Sequence, residues 1–142
     1  MLEVKTTQIT DGVASETERE RLRLESGDAV YRIRRIGFIG ARAMMVEHAS
    51  LPAILFPGLA SMNPLPEGVV QLALRFGIPL GNAQERISVA PAPVEVAMIL
   101  QVAAGAPTAV LDRVVLSSDG RPVEWRLTWR DLGQRSDLVQ PT

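Results

Sequence analysis

Part of this chain occurs twice. Leu22-x-Leu24-x-x-Gly27, with Arg35 eight residues past the glycine, returns as Leu100-x-Val102-x-x-Gly105 with Arg113 eight residues past it. The offset between the copies is 78 residues at every matched position. Chance can supply leucines, but matched glycine and arginine spacing points to duplication of a supersecondary unit. In both copies the arginine lies in a strand-like run, followed by a turn and another apolar run. A chain built this way folds as two related halves.

In the first copy, Ser15-x-x-Glu18 has the spacing of a capping box, in which hydroxyl and carboxylate satisfy amides at a helix start. The pattern predicts a helix from about Glu16 to Leu22, stopped by Glu25-Ser26-Gly27-Asp28 with glycine at the C′ position. Ala29 to Phe38 has the β-prone residues Val30, Tyr31, Ile33 and Ile36. Gly40-Ala41 marks a turn, and Ala43 to Ser50 reads as a second strand. In the second copy Pro93 suits the first turn of a helix reaching Leu100. Gly105-Ala106-Pro107 ends it, and Thr108 to Ser117 reads as a strand. Asp119-Gly120 is a strong hairpin signal. From Pro122 to Arg130 the alternation places Val123, Trp125, Leu127 and Trp129 on one face, and Glu124, Arg126, Thr128 and Arg130 on the other.

Between the copies, Leu51-Pro52 and Phe56-Pro57-Gly58 punctuate a loop with room for a helical turn. Val69, Leu72, Ala73 and Phe76 share one helical face, closed by Gly77, and Asn82 to Ala90 reads as a strand. The expected fold is α+β, an antiparallel sheet covered on one side by helices, in a single domain over residues 1–142. The few residues at each end, above all those after Asp131, are expected to be disordered.

Composition narrows the function. The chain has 46% hydrophobic and 22% charged residues, ordinary for a globular domain. Fifteen basic and sixteen acidic residues leave a net charge of -1, without the basic excess that phosphate binding demands. There is no cysteine, which excludes disulfides, thiolate metal sites and a cysteine nucleophile. No secretory h-region opens the chain, and no apolar run reaches the roughly 20 residues of a bilayer span. A cytoplasmic location without membrane contact is expected.

A longer series of motifs runs in fixed order along the chain. Its first part is Leu22-x-Leu24-x-x-Gly27-x-x-Val30, Arg35 and Val46-Glu47-x-x-x-Leu51-Pro52. The second is Gln84-Glu85-x-Ile87-x-x-Ala90, Ala97-x-x-Leu100-x-Val102-x-x-Gly105-x-Pro107, Arg113, Asp119-Gly120-x-Pro122-Val123-Glu124 and Arg130-Asp131. This ordered series, spanning roughly Val13 to Asp131, resembles a known family, the UTRA (UbiC transcription regulator-associated) domain. The resemblance implies a fold like chorismate lyase, with helices packed around an antiparallel sheet. It also implies the effector-binding domain of a GntR-family, HutC-subfamily transcription regulator, not an enzyme. A homodimer is implied, and DNA contact belongs to a winged helix-turn-helix outside this chain. A chorismate lyase-like enzyme and a dimerisation domain without ligand are the alternatives.

The resemblance also assigns a site: Arg35, Glu47 and Glu124 correspond to the family's ligand-binding positions. In members with phosphosugar effectors an Arg-x-Arg pair helps hold the phosphate. Here Gly37 stands at the second place, and Glu67-Gly68-Val69-Val70 replaces a Ser-aromatic pair at the middle helix. One retained arginine fits a small carboxylate or a neutral polar metabolite better. From the residues alone, Arg35 equally suits a bidentate ligand contact or an internal ion pair with Glu47 or Glu124. Arg113 reads as structural, and Arg126 and Arg130 as surface charge. His48, the sole histidine, reads as a strand residue near the site; it has no companions for a metal centre. No cofactor or metal is expected. Trp125 and Trp129 read as core, and Met44-Met45 as core or pocket lining.

Overall fold

The sequence repeat becomes a pseudo-twofold. In the computed structural model, which describes residues 1–133, the first unit runs β1 (Glu3–Val13), α1 (Glu16–Leu22), β2 (Ala29–Ile39) and β3 (Arg42–Pro52). Two short 3-10 turns (Ala53–Leu55 and Leu59–Ser61) and α2 (Val69–Phe76) connect it to the second unit. That unit runs β4 (Leu80–Pro91), α3 (Val94–Leu100), β5 (Pro107–Ser117) and β6 (Pro122–Asp131). The sheet order is β1-β2-β3-β6-β5-β4, antiparallel throughout, so the halves meet where β3 pairs with β6.

The duplication extends to single hydrogen bonds. The Ala14 amide donates to the Asp28 carbonyl and the Ala92 amide to Ala106, both at 2.8 Å, tying each helix entry to the strand that follows. Each helix ends on a left-handed residue, Arg23 (φ 54°) in α1 and Gln101 (φ 58°) in α3. The expected glycine cap is therefore displaced: Gly27 (φ 91°) shapes the turn into β2, and α1 stops earlier on Arg23. Leu24 and Val102 close these ends by donating to Arg19 and Ala97.

Three further expectations change. Residues 3–13 form a full strand and not a frayed end. As an edge strand it is almost wholly exposed, so its sequence carries no apolar alternation to announce it. Helices also cover both faces of the sheet. Val46 and Trp129 pack under α3, and Leu22 of α1 packs on Val30 and Trp125. The opposite face puts Ile33, Ala49, Leu51 and Val115 against Phe56, Leu59 and the α2 residues Val69 and Leu72. Finally, the β5–β6 register shifts between Val115 and Leu116, and Val123 joins this second cluster, breaking the expected alternation with Trp125. The tail after Asp131 lies, from residue 134, outside the described residues.

Glu18 pins the first unit together. Ser15 and Glu18 complete the capping box, the Ser15 amide donating to Glu18 at 2.9 Å and the Glu18 amide to Ser15 Oγ at 3.1 Å. The same carboxylate accepts from Arg32 Nε (2.9 Å), Arg32 Nη2 (2.7 Å) and Ser50 Oγ (2.7 Å). Burial pushes its pKa up, but the bonds from Arg32, Ser15 and Ser50 outweigh that and hold it at about 2. A depressed folded-state pKa contributes stability above the unfolded value that is lost as pH falls through the folded one. Glu18→Gln will therefore destabilise the domain at pH 7, and its deficit will shrink between about pH 5 and pH 2. Urea unfolding of both proteins across that range checks this; a deficit independent of pH would contradict it.

Candidate functional site

The face under α2 carries a buried ionic cluster astride the seam. Its members follow from strand parity. Arg35 on β2 pairs across to Glu47 on β3, Glu47 stands opposite Thr128 on β6, and Arg126 on β6 stands opposite Arg113 on β5. Arg35 is 2% exposed and Glu124 0%. Arg35 Nη1 donates to Glu47 Oε2 at 3.2 Å, and Nη2 to the Pro66 carbonyl at 3.4 Å, in the segment before α2. Arg126 bridges the carboxylates, with Nη1 3.6 Å from Glu47 Oε1 and Nε 3.6 Å from Glu124 Oε1. Arg113 Nε lies 3.5 Å from Glu85 Oε2 at the outer strand.

The cluster is close but incompletely bonded. Among the described residues, Arg35 Nε, Arg113 Nε, Arg126 Nε and both Glu124 oxygens are buried without a hydrogen-bond partner. Most buried polar groups in native proteins find one, because leaving it unmade costs about 1–3 kcal/mol each. Burial is the main force raising the Glu124 pKa; Arg126 opposes it, Glu47 adds to it, and Arg35 and Arg113 oppose it. Glu124 is thus biased toward its neutral form, and Arg35 and Arg126 share the Glu47 carboxylate while Arg113 pairs with Glu85. A site with that balance suits an anion.

The structure brings together Arg35, Glu47 and Glu124, and joins Arg35 to Glu47 as an ion pair. Arg126, expected at the surface, is instead largely buried at its centre. Sequence parity did put it on the same face as Glu124; what it could not show is that α2 and its approach cover that face. Arg113 makes the expected structural pair, and Arg130 is exposed. His48 does not join the cluster: it points to the other face, edge-on to Trp129 at 5.0 Å and 3.4 Å from Glu95. Met44, Met45 and Trp129 are core, whereas Trp125 is only partly buried and lines a cavity on the α1 and α3 face.

The geometry defines an α+β sheet domain with a buried arginine–glutamate cluster, and comparison with known proteins places it. Residues 2–131 match the UTRA domain, and the chain belongs to that family. Solved structures with the same fold are GntR-family transcriptional regulators. One from Bacillus cereus is 22% identical with a TM-score of 0.82, over 93% of this chain and 92% of that one. One from Enterococcus faecalis V583 is 23% identical with a TM-score of 0.80, over 92% and 94%. The effector domain of PhnF from Mycobacterium smegmatis is 21% identical with a TM-score of 0.83, over 94% and 83%. In the longer PhnF structure the match covers 59% of that chain.

Proposed function

We propose that this chain is the effector-sensing and dimerisation domain of a GntR/HutC-type transcription regulator. The effector is a small carboxylate or similarly polar metabolite held at Arg35, Glu47 and Glu124, with Arg126 as a fourth contact. The observation that carries this is the group of buried, unbonded polar atoms around a surplus of guanidinium. A carboxylate placed there gives the guanidinium N–H groups an acceptor and gives a protonated Glu124 a partner to donate to. The domain then acts by binding and not by catalysis. DNA contact falls to a domain outside this chain, and effector binding shifts the arrangement of a dimer only through unequal affinity for its two states. Exposed Ile87 and Val89 on edge strand β4 support a dimer, since exposed apolar residues on an open edge favour association.

A thermal-shift screen against carboxylates, sugar acids, sugar phosphates and amino-acid derivatives tests the reading. A ligand hundredfold above its Kd stabilises the native state by roughly 2.7 kcal/mol, several degrees in Tm. Glu124→Gln and Glu124→Leu together separate binding from folding. Because Glu124 has a raised folded-state pKa, its charge opposes folding as pH rises above the ordinary carboxylate range. The neutral variant will melt at or above the wild-type temperature at pH 7, with the gain vanishing in acid. The ligand-induced shift, which the glutamine amide can sustain as a donor, disappears in Glu124→Leu. A panel without a hit on well-folded protein, or a hit untouched by Glu124→Leu, would count against this site.

A further inference from the structure

We propose that the groove between α1 and α3, on the opposite face of the sheet from Arg35, is a second ligand site for an uncharged, hydroxyl-rich molecule of monosaccharide size. The groove encloses about 530 Å³, within the roughly 300–1,000 Å³ of small-molecule sites. It uses the same three central strands as the ionic cluster, read at the alternate positions. Arg32 and Arg34 take the place of Arg35, His48 and Ser50 that of Glu47, and Trp125 and Leu127 that of Glu124 and Arg126.

The two faces differ in how their charge is used. In the groove each guanidinium already has a carboxylate. Arg32 forks onto Glu18, and Arg34 Nη1 donates to Glu95 Oε1 at 3.1 Å while its Nε donates to Thr7 at 3.1 Å. An anion entering here meets no uncompensated cation, and a cation no uncompensated carboxylate. Burial lowers the His48 pKa more than Glu95 restores it, so the imidazole is neutral at pH 7 and offers one donor and one acceptor. The remaining polar wall consists of the Gln8 amide and the Thr10 and Thr17 hydroxyls. These make no side-chain hydrogen bond to another described residue. Trp125 and Leu127 give an apolar floor, and Asp112 accepts from the Trp125 indole N–H at 2.9 Å. An apolar floor below neutral donors and acceptors matches a sugar or polyol ring, with C–H groups on one side and hydroxyls around the rim.

The test is a ¹⁵N–¹H titration of this chain with glucose, ribose and myo-inositol, and with glucose 6-phosphate and gluconate as charged counterparts. The expected result is a saturable shift of the Gln8, Thr10 and Thr17 amides and the Trp125 indole with at least one neutral compound. Its affinity should change little with added salt and fall at least fivefold in Thr10→Val and in Glu95→Ala, both at exposed positions. The shift should persist in Glu124→Leu, which separates this site from the effector site. No saturable shift at these resonances with any neutral compound overturns the proposal. So does tighter binding there of either charged counterpart.

Discussion

Arg35→Met will lower the unfolding free energy by about 3 kcal/mol, the scale for removing one partner of a buried ion pair. The mechanism is what is left behind. Glu47 is buried, and without Arg35 its remaining cation is Arg126 at 3.6 Å, beyond hydrogen-bond reach. The Pro66 carbonyl loses its donor in the same step. The double variant Arg35→Met/Glu47→Leu removes both charges and will recover most of the loss, because an apolar pair of similar volume carries no desolvation cost. Urea unfolding with both slopes measured decides it. A single variant within about 1 kcal/mol of wild type, or a double variant no better than the single, would show that the pair does not hold the seam.

Phe56→Ala will cost about 3–5 kcal/mol, the range for deleting a buried aromatic side chain. Phe56 is fully buried, and its ring meets Phe76 of α2 edge-on at 5.3 Å and 74°. It is the anchor by which the connecting segment lies on the sheet, and that segment carries Pro66 over Arg35. Phe56→Leu keeps most of the apolar volume and will cost much less, under about 1.5 kcal/mol. Thermal and chemical unfolding of the two variants checks the order; equal losses would mean that the ring's shape, and not its volume, secures the segment.

Much of this fold was legible because duplication constrains it. The capping box, the Asp119-Gly120 turn and the apolar stripe of Val69, Leu72 and Ala73 are local signals, and each element formed where its own chemistry demanded. The strand β1 was not legible, since an edge that is exposed along almost its whole length needs no alternation. Nor was the face choice at Val123, where a shifted register overrides parity. At the site, resemblance supplied Arg35, Glu47 and Glu124, and the spacing alone could not tell a ligand contact from an ion pair. Arg126 was misread because charge on a strand usually means solvent, and burial of that face depends on a segment some 60 residues away. His48 lies one residue from Glu47 and therefore on the wrong side of the sheet, a distinction that only parity across three strands makes plain.

The palindromic strand order has a further consequence, for the way the chain folds. Four of the five strand pairings join segments of the same half: β1 with β2, β2 with β3, β4 with β5, and β5 with β6. Only β3 with β6 joins partners on the order of 80 residues apart. The contact order of the protein is thus concentrated in one ladder, and the entropy of closing the large loop between the halves falls on that ladder alone. Arg35, Glu47, Glu124 and Arg126 meet across it, so the cluster comes into existence only when the two halves dock.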